Sequence, residues 1–330
     1  MRDFHPEKKS FWWSAGAVIL VVALVVSGFV LMEALENKNE KLPETQFGEE
    51  TIVYEGKEYQ LRKNVETFLV MGLDKFNGAI SEESYNNDQQ ADFLMLLVFD
   101  NDTKTCTALH INRDTMAQMN VLGVAGQKVD TVKKQIALAH TYGNGREVSC
   151  RNTADAVSGL LFGMKINHYM SLKMDAVPTF NDLVGGVEVT LLEDFTSVDP
   201  TMKKGETLTL TGEQALHYVR TRYGLEDSSN STRMERQRQY LTALHTKIQQ
   251  RIAADDQFIV DSVTAISDSM ISDRSVNQLQ ELMEKLSTYT LVEIDSIEGE
   301  NVLGEVYVEF YPNEAALQKI VVDLFYKPKD

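Results

Sequence analysis

The sequence predicts a three-layer α-β-α sandwich preceded by one N-terminal transmembrane helix, and three observations lead there. First, Phe11–Met32 is a run of 22 residues without a charge, which at about 1.5 Å of rise per residue crosses a bilayer core. Second, short apolar runs end at turn residues over Phe68–Gly72, Phe93–Phe99 and Thr105–Ile111, as strands buried on both faces do. Third, helical patterns alternate with strand patterns along the remaining chain, which places helices on both faces of one sheet. The 330 residues are 43% hydrophobic and 25% charged, without an internal repeat. That is ordinary globular composition for a single large domain.

The elements follow in order. Residues 1–10 read as a short cytoplasmic tail and 11–32 as a signal anchor, with Trp12 and Trp13 placed as an interfacial belt. Arg2, Lys8 and Lys9 precede the span while Lys38 and Lys41 follow it, and no A-x-A site closes it. The positive-inside rule then keeps the N-terminus in the cytoplasm and sends the rest outside it, as a single-pass protein of the cell membrane. Residues 33–64 carry Pro43, Gly48 and Gly56 and read as a juxtamembrane linker with a small hairpin at Thr51–Leu61; the domain is 65–330. Within it, helices are expected over Thr131–Tyr142, Thr153–Phe162 and Asp175–Leu183, with strands at His168–Leu172 and Val187–Leu191. Thr211 with Gln214 forms a capping box that opens a helix through Tyr218, and a second helix runs from Arg233 through Leu244. Amphipathic stretches cover Gln257–Met270 and Ser275–Tyr289, the latter opened by the box Ser275/Gln278. Strands at Leu291–Ile297 and Val306–Phe310 lead into a last helix over Asn313–Phe325.

Charge singles out one stretch. The chain has 32 basic and 49 acidic residues, net −17, yet Arg220, Arg222, Arg233, Arg236 and Arg238 fall within nineteen positions. Arginine grips phosphate through a planar fork of donors and stays charged at any working pH. Arg220 and Arg222 stand at the end of one helix and share a face only if the backbone there is extended. Arg233, Arg236 and Gln237 stand at i, i+3 and i+4 on the next helix. Two element ends thus could aim four guanidinium groups into one cleft; the alternative is a solvated face paired with Glu226, Asp227 and Glu235.

Asp74 follows one strand and Asp92 precedes another, where α/β proteins place ligands. Two such carboxylates could hold a hard cation such as Mg²⁺, or serve as turn and capping residues. Arg113 in Asn112-Arg113-Asp114-Thr115 follows the third strand and could join a phosphate site. Cys106 and Cys150 are the only cysteines; outside the cytoplasm a disulfide is permitted, and two buried thiols are equally compatible. His140 reads as a packed histidine rather than a base. Metal-ligand histidine spacing, a G-x-S-x-G elbow, a Walker loop and Rossmann glycines are all absent, which disfavours nucleophilic hydrolases and ATP-driven enzymes. An acidic domain outside the cytoplasm is not expected to bind nucleic acid.

Taken in order, G-L-D (72–74), A-D-F (91–93), N-R-D-T (112–115), A-H-T-Y-G (139–143), L-V-G-G-V-E-V (183–189), L-T-G-E-Q-A-L-H-Y-V-R-T-R (210–222) and R-M-E-R-Q (233–237) resemble the LytR-CpsA-Psr family of bacterial envelope proteins. The arginine segments carry most of that specificity. The resemblance implies a central mixed sheet and transfer of a glycan polymer, such as teichoic acid or capsule, from a polyprenyl-pyrophosphate carrier to a muramic acid hydroxyl of peptidoglycan. It implies Mg²⁺, or Mn²⁺, on Asp74 and Asp92, one of these or a neighbour assisting deprotonation, and the phosphates on Arg113, Arg220, Arg222, Arg233 and Gln237. The lipid tail would need an apolar tunnel; the Leu- and Met-rich faces over 153–183 could line it and are read as core. The chain also departs from the pattern. Gln90-Ala91-Asp92-Phe93 stands where Arg-Ser-Asp-Thr is usual, Asn112 replaces a Pro, Asn230 stands near a usual Asp, and the loop 75–90 is long and polar. These departures point to the alternatives, a carrier-binding or regulatory protein without transfer, or a carrier pyrophosphatase.

Overall fold

The computed structural model describes residues 45–74 and 86–329. The expected membrane segment 11–32, its flanks and most of the loop after Asp74 lie outside the described residues. Among the described residues no helix is long and apolar enough to cross a membrane.

The described chain opens with the hairpin β1 (Thr51–Tyr54) and β2 (Lys57–Leu61), turned at Glu55 and Gly56, both with positive φ. This stretch, expected within a linker, is part of the body. β2 pairs antiparallel with the last strand of the chain, and the Gly48 N–H donates to the Tyr326 hydroxyl at 2.7 Å. The compact unit accordingly starts at Phe47, ahead of residue 65.

Three antiparallel strands follow, β3 (Val65–Leu73), β4 (Ala91–Asp100) and β5 (Thr105–Ile111). Leu69, Met71, Leu94, Leu96 and Leu109 enter one core and Phe68, Phe99 and Cys106 another. Burial on both faces makes each strand a continuous apolar run. Next comes a hairpin outside the central sheet, β6 (Met116–Leu122) and β7 (Lys128–Gln135). It corrects the helix expected over Thr131–Tyr142. The β-branched Val129, Thr131 and Val132 suit a strand paired with β6, and only Ile136–Thr141 winds, as a short 3₁₀ segment burying Ile136, Ala137 and Ala139. Those three residues had supplied the helical stripe. The apolar–polar alternation Ala117-Gln118-Met119-Asn120-Val121 in β6 is the sequence signal for this hairpin.

The chain continues through α1 (Glu147–Leu160), β8 (His168–Lys173), α2 (Ala176–Leu183) and the ribbon β9 (Val187–Thr190) with β10 (Thr207–Leu210). α1 begins and ends slightly ahead of the expected Thr153–Phe162. Then come α3 (Gly212–Arg220), α4 (Asn230–Ala254), α5 (Phe258–Ile266), β11 (Met270–Ser272), α6 (Val276–Leu286) and β12 (Thr290–Ser296). The hairpin β13 (Gly299–Leu303) and β14 (Val308–Pro312), α7 (Glu314–Phe325) and β15 (Tyr326–Pro328) complete it. Both capping boxes form, Thr211 with Gln214 on α3 and Ser275 with Gln278 on α6.

The central sheet has six strands in the order β11-β8-β3-β4-β5-β12. It is mixed: β8 runs parallel to β3 and β12 parallel to β5, while the other pairs are antiparallel. Val157 of α1 and Val321 and Phe325 of α7 cover one face; Val263 of α5 and Leu279 of α6 cover the other. A third cluster, including Val187, Phe195, Leu210, Tyr218, Tyr240 and Leu244, packs the ribbon beneath α3 and α4. The cysteines are free thiols in different clusters, Cys106 on one face and Cys150 on the other. Burial pushes them up to about 12 and about 11.

Candidate functional site

Strand direction assembles the site. Because β3, β4 and β5 alternate in direction, the residue after β3, the second residue of β4 and the loop after β5 meet at one sheet end. These are Asp74, Asp92 and Arg113. A bulge between Gly72 and Leu73 accommodates this corner. Above it, α3 ends at Arg220, and Thr221 is extended with φ −62° and ψ 134°. That satisfies the condition for Arg220 and Arg222 to share a face. α4 starts at Asn230, capped by the Ser229 hydroxyl, which puts Arg233 in its first turn.

Each arginine has a different company. Arg220 pairs with Asp74 at 2.5 Å. Arg113 donates to the Asp92 carboxylate and, at 2.8 Å, to Gln90 Oε1; its Nε lies 3.3 Å from the Asp114 carboxylate. Gln90, expected as a missing phosphate ligand, thus fixes the Arg113 fork. Asp114 is buried, accepts from Gln135 at 3.0 Å and is raised by desolvation against the opposing pull of Arg113, Arg222 and Arg233. Arg233 donates to Asn230 Oδ1 at 2.6 Å and to the Asp92 backbone carbonyl at 3.2 Å. Its Nε is buried without a partner among the described residues. Burial lowers Arg233 to about 10, Asp92 opposes, and Arg222 and Arg113 lower it further. Arg222 stacks on Tyr223 at 5.5 Å and has no ion pair among the described residues.

Arg236 does not belong to this group. It is fully buried, paired with the buried Glu193 at 2.8 Å, and donates to the carbonyls of Tyr218 and Thr221. The helical spacing read from sequence was correct, but its i+3 position faces Glu193 and the end of α3 instead of the cleft. Gln237 lies between two environments: its Nε2 donates to the Val219 carbonyl at 2.9 Å, and its Oε1 is buried without a partner.

Beside Gln237 lies an apolar cavity of about 200 Å³, lined among others by Gly72, Phe93, Met174, Phe180, Tyr240 and Leu244. Of the stretch 153–183, the part from Leu172 to Phe180 lines it; Ala154, Ala156 and Val157 are core. A Cβ on Gly72 would stand 2.9 Å from the Phe93 Cβ, so any side chain there would force a shift against the paired strand β4. Phe93 also rests against the buried His110 ring at 5.0 Å.

The A-H-T-Y-G segment supports the corner from below. Asn87 Nδ2 donates to the His140 carbonyl at 2.9 Å and the Thr141 carbonyl at 3.1 Å, and His140 Nδ1 donates to the Gln89 carbonyl at 3.0 Å. His140 is packed, as expected, and burial brings its pKa down to about 4. The unfolded imidazole binds a proton near pH 6.5 and the folded one does not, so this histidine stabilises above that pH and the contribution is lost as pH falls toward 4. Each unit in that window costs up to about 1.4 kcal/mol. Melting temperature followed from pH 7 to 4.5 should therefore fall less steeply in His140→Asn, which keeps a donor near the Nδ1 position and does not titrate.

Asp74 and Asp92 are the carboxylates at this corner that could hold a cation. Their hard oxygens fit Mg²⁺, which uses one or two carboxylates with phosphate oxygens and water. Among the described residues no cluster of three or more His, Cys, Asp or Glu forms a metal cage.

The model of the LytR_cpsA_psr family matches residues 29–324. The chain is 26% identical over 286 residues to the Enterococcus faecalis protein named polyisoprenyl-teichoic acid–peptidoglycan teichoic acid transferase TagU, covering 86% of this chain and 84% of that one. It is 27% identical over 257 residues to cell wall biosynthesis protein LcpA of Corynebacterium glutamicum, covering 71% of this chain and 48% of that longer protein. Among solved structures, B. subtilis TagV aligns with a TM-score of 0.60 and 25% identity, over 80% of this chain and 97% of TagV. A structure described as TagT bound to LI-WTA aligns with a TM-score of 0.59 and 22% identity, over 79% of this chain and 90% of that one, a likeness of fold.

Proposed function

Since the chain belongs to the LytR_cpsA_psr family, we propose that it transfers a glycan polymer from a polyprenyl-pyrophosphate carrier to a muramic acid hydroxyl of peptidoglycan, forming a phosphodiester. The observation that carries this reading is a junction of unlike environments. Arg222 and the buried Arg233 have no carboxylate bonded to them among the described residues, and the apolar cavity begins within a few residues, at Gln237. A charged head with a long hydrocarbon tail matches both halves; a sugar nucleotide or a soluble phosphate matches only one. The name of TagU and the ligand in the TagT structure support the same substrate class.

In this reading Arg113, Arg222 and Arg233 hold the phosphate oxygens, Arg220 orients Asp74, and Gln237 marks the boundary between head and tail. The acceptor oxygen attacks the glycan-bearing phosphorus, the bridging P–O bond breaks, and polyprenyl phosphate leaves. The acceptor proton passes to Asp92 or a neighbouring carboxylate. Catalysis of this kind is mostly positioning and neutralisation of the leaving charge. A Mg²⁺ bound by Asp74 and Asp92 would supply further charge neutralisation on the diphosphate. The segment 11–32 would anchor the domain outside the cytoplasm, beside a carrier embedded in the same membrane.

The test is incubation of the detergent-solubilised chain with lipid-linked oligosaccharide and peptidoglycan oligomers, with and without chelator. Chelator-sensitive glycan-peptidoglycan product is the expected mass. Free phosphorylated glycan in its place would mean a pyrophosphatase. Carrier binding without any product, beside an active relative, would mean a regulatory protein.

A further inference from the structure

Asn112 and Asn230, two of the departures noted above, are 118 positions apart and joined by one buried hydrogen bond, Asn230 Nδ2 donating to Asn112 Oδ1 at 2.7 Å. Both are buried, at 4% and 7% exposure. Asn112 Oδ1 also accepts the Asp114 N–H at 2.9 Å, so it is committed as an acceptor. The amide of Asn230 is thereby oriented, and its Oδ1 is left to accept from Arg233 at 2.6 Å. Two neutral amides and the Asp92 carbonyl thus hold the Arg233 cation between the end of β5 and the start of α4.

An amide oxygen orients an arginine as a carboxylate of the same shape does, by a weaker bond, and does not neutralise it. Arg113 is matched by Asp92 and Asp114, and Arg220 by Asp74. Arg233, 3% exposed, is hydrogen-bonded only to amide and carbonyl oxygens among the described residues. Among the described residues, four arginines (113, 220, 222, 233) thus meet three aspartates (74, 92, 114) at this corner, an excess of one positive charge in a chain of net charge −17. An isolated buried cation is costly. Such a cation, with an Nε that finds no partner among the described residues, is fitted for an incoming anion.

Building on the reading of this corner as a diphosphate site, we propose that Asn230, oriented by Asn112, is a positioning residue that aims Arg233 while keeping its charge available, and so sets the affinity of the site for a diphosphate head group.

The experiment titrates the full chain in detergent with geranylgeranyl pyrophosphate at several salt concentrations and records thermal unfolding alongside. Asn230→Asp preserves shape and the contact to Arg233 but neutralises it. Pyrophosphate affinity should fall at least about tenfold, because a new charge at hydrogen-bond range outweighs a simple shape change, and the salt dependence should flatten. If the substituted carboxylate destabilises the fold by facing Asn112 Oδ1, the double variant Asn112→Ala/Asn230→Asp removes that conflict. The double variant should bind no better than Asn230→Asp whether or not its melting temperature recovers, while Asn112→Ala alone, which frees the Asn230 amide, should lower affinity by a smaller factor, about threefold. Equal affinity of Asn230→Asp and the unsubstituted chain would overturn the assignment, as would recovery of affinity together with stability in the double variant. If the unsubstituted chain binds no pyrophosphate, the diphosphate reading itself falls and takes this assignment with it.

Discussion

Arg236→Ala should cost the domain about 3–5 kcal/mol, the usual cost of breaking a buried ion pair from one side. Arg236 is fully buried and Glu193 4% exposed, and they lie 2.8 Å apart. The same guanidinium holds the Thr221 carbonyl at 2.5 Å and lies over the Phe195 ring at 5.1 Å. Removing it strands a carboxylate in the core beneath α3 and α4 and frees the backbone that positions Arg222. Denaturant unfolding should give a lower midpoint. Arg236→Met with Glu193→Leu should recover part of the loss, since similar-volume apolar pairs often replace buried ion pairs without penalty. An unchanged midpoint for the alanine variant would mean that the pair contributes nothing.

Arg222→Ala should do the reverse. Its side chain is half-buried, stacked only on Tyr223, and bound to no carboxylate among the described residues. Truncation should change stability by no more than about 0.5 kcal/mol. Transfer should fall by about a hundredfold or more, the usual loss when one electrostatic donor to a developing charge is removed. Lysine should restore only part of it, because a point charge replaces a planar fork. Melting temperature and kcat/KM with a lipid-linked donor, measured on the same preparation, separate the two effects. A variant that lost stability but kept kcat/KM would exclude Arg222 from the site.

The contrast between these two arginines marks where sequence reasoning reaches its limit. Whatever depends on neighbours in the chain was legible: the buried strands β3, β4 and β5, both capping boxes, and the extended residue that lets Arg220 and Arg222 share a face. Helical spacing put Arg233 and Arg236 on one face but could not distinguish a cleft from a core, because the answer lies with Glu193 and Asp92 on distant segments. For the same reason Asn112 and Asn230 read as two separate departures. Gln90 read as a lost ligand because its partner, Arg113, comes from another strand end. The hairpin β6–β7 was missed on different grounds: the buried 3₁₀ turn after it supplied apolar residues at helical spacing.

In the proposed reading one polyprenyl pyrophosphate spans the arginine corner and the adjoining cavity. The most direct measurement is a crystal structure of the domain with a short prenyl pyrophosphate. Phosphate oxygens within hydrogen-bond distance of Arg222 and Arg233, with the prenyl chain entering between Gly72, Phe93 and Tyr240, are the expected result. Phosphates bound elsewhere, or a chain lying on the outer surface with that cavity closed, would contradict it.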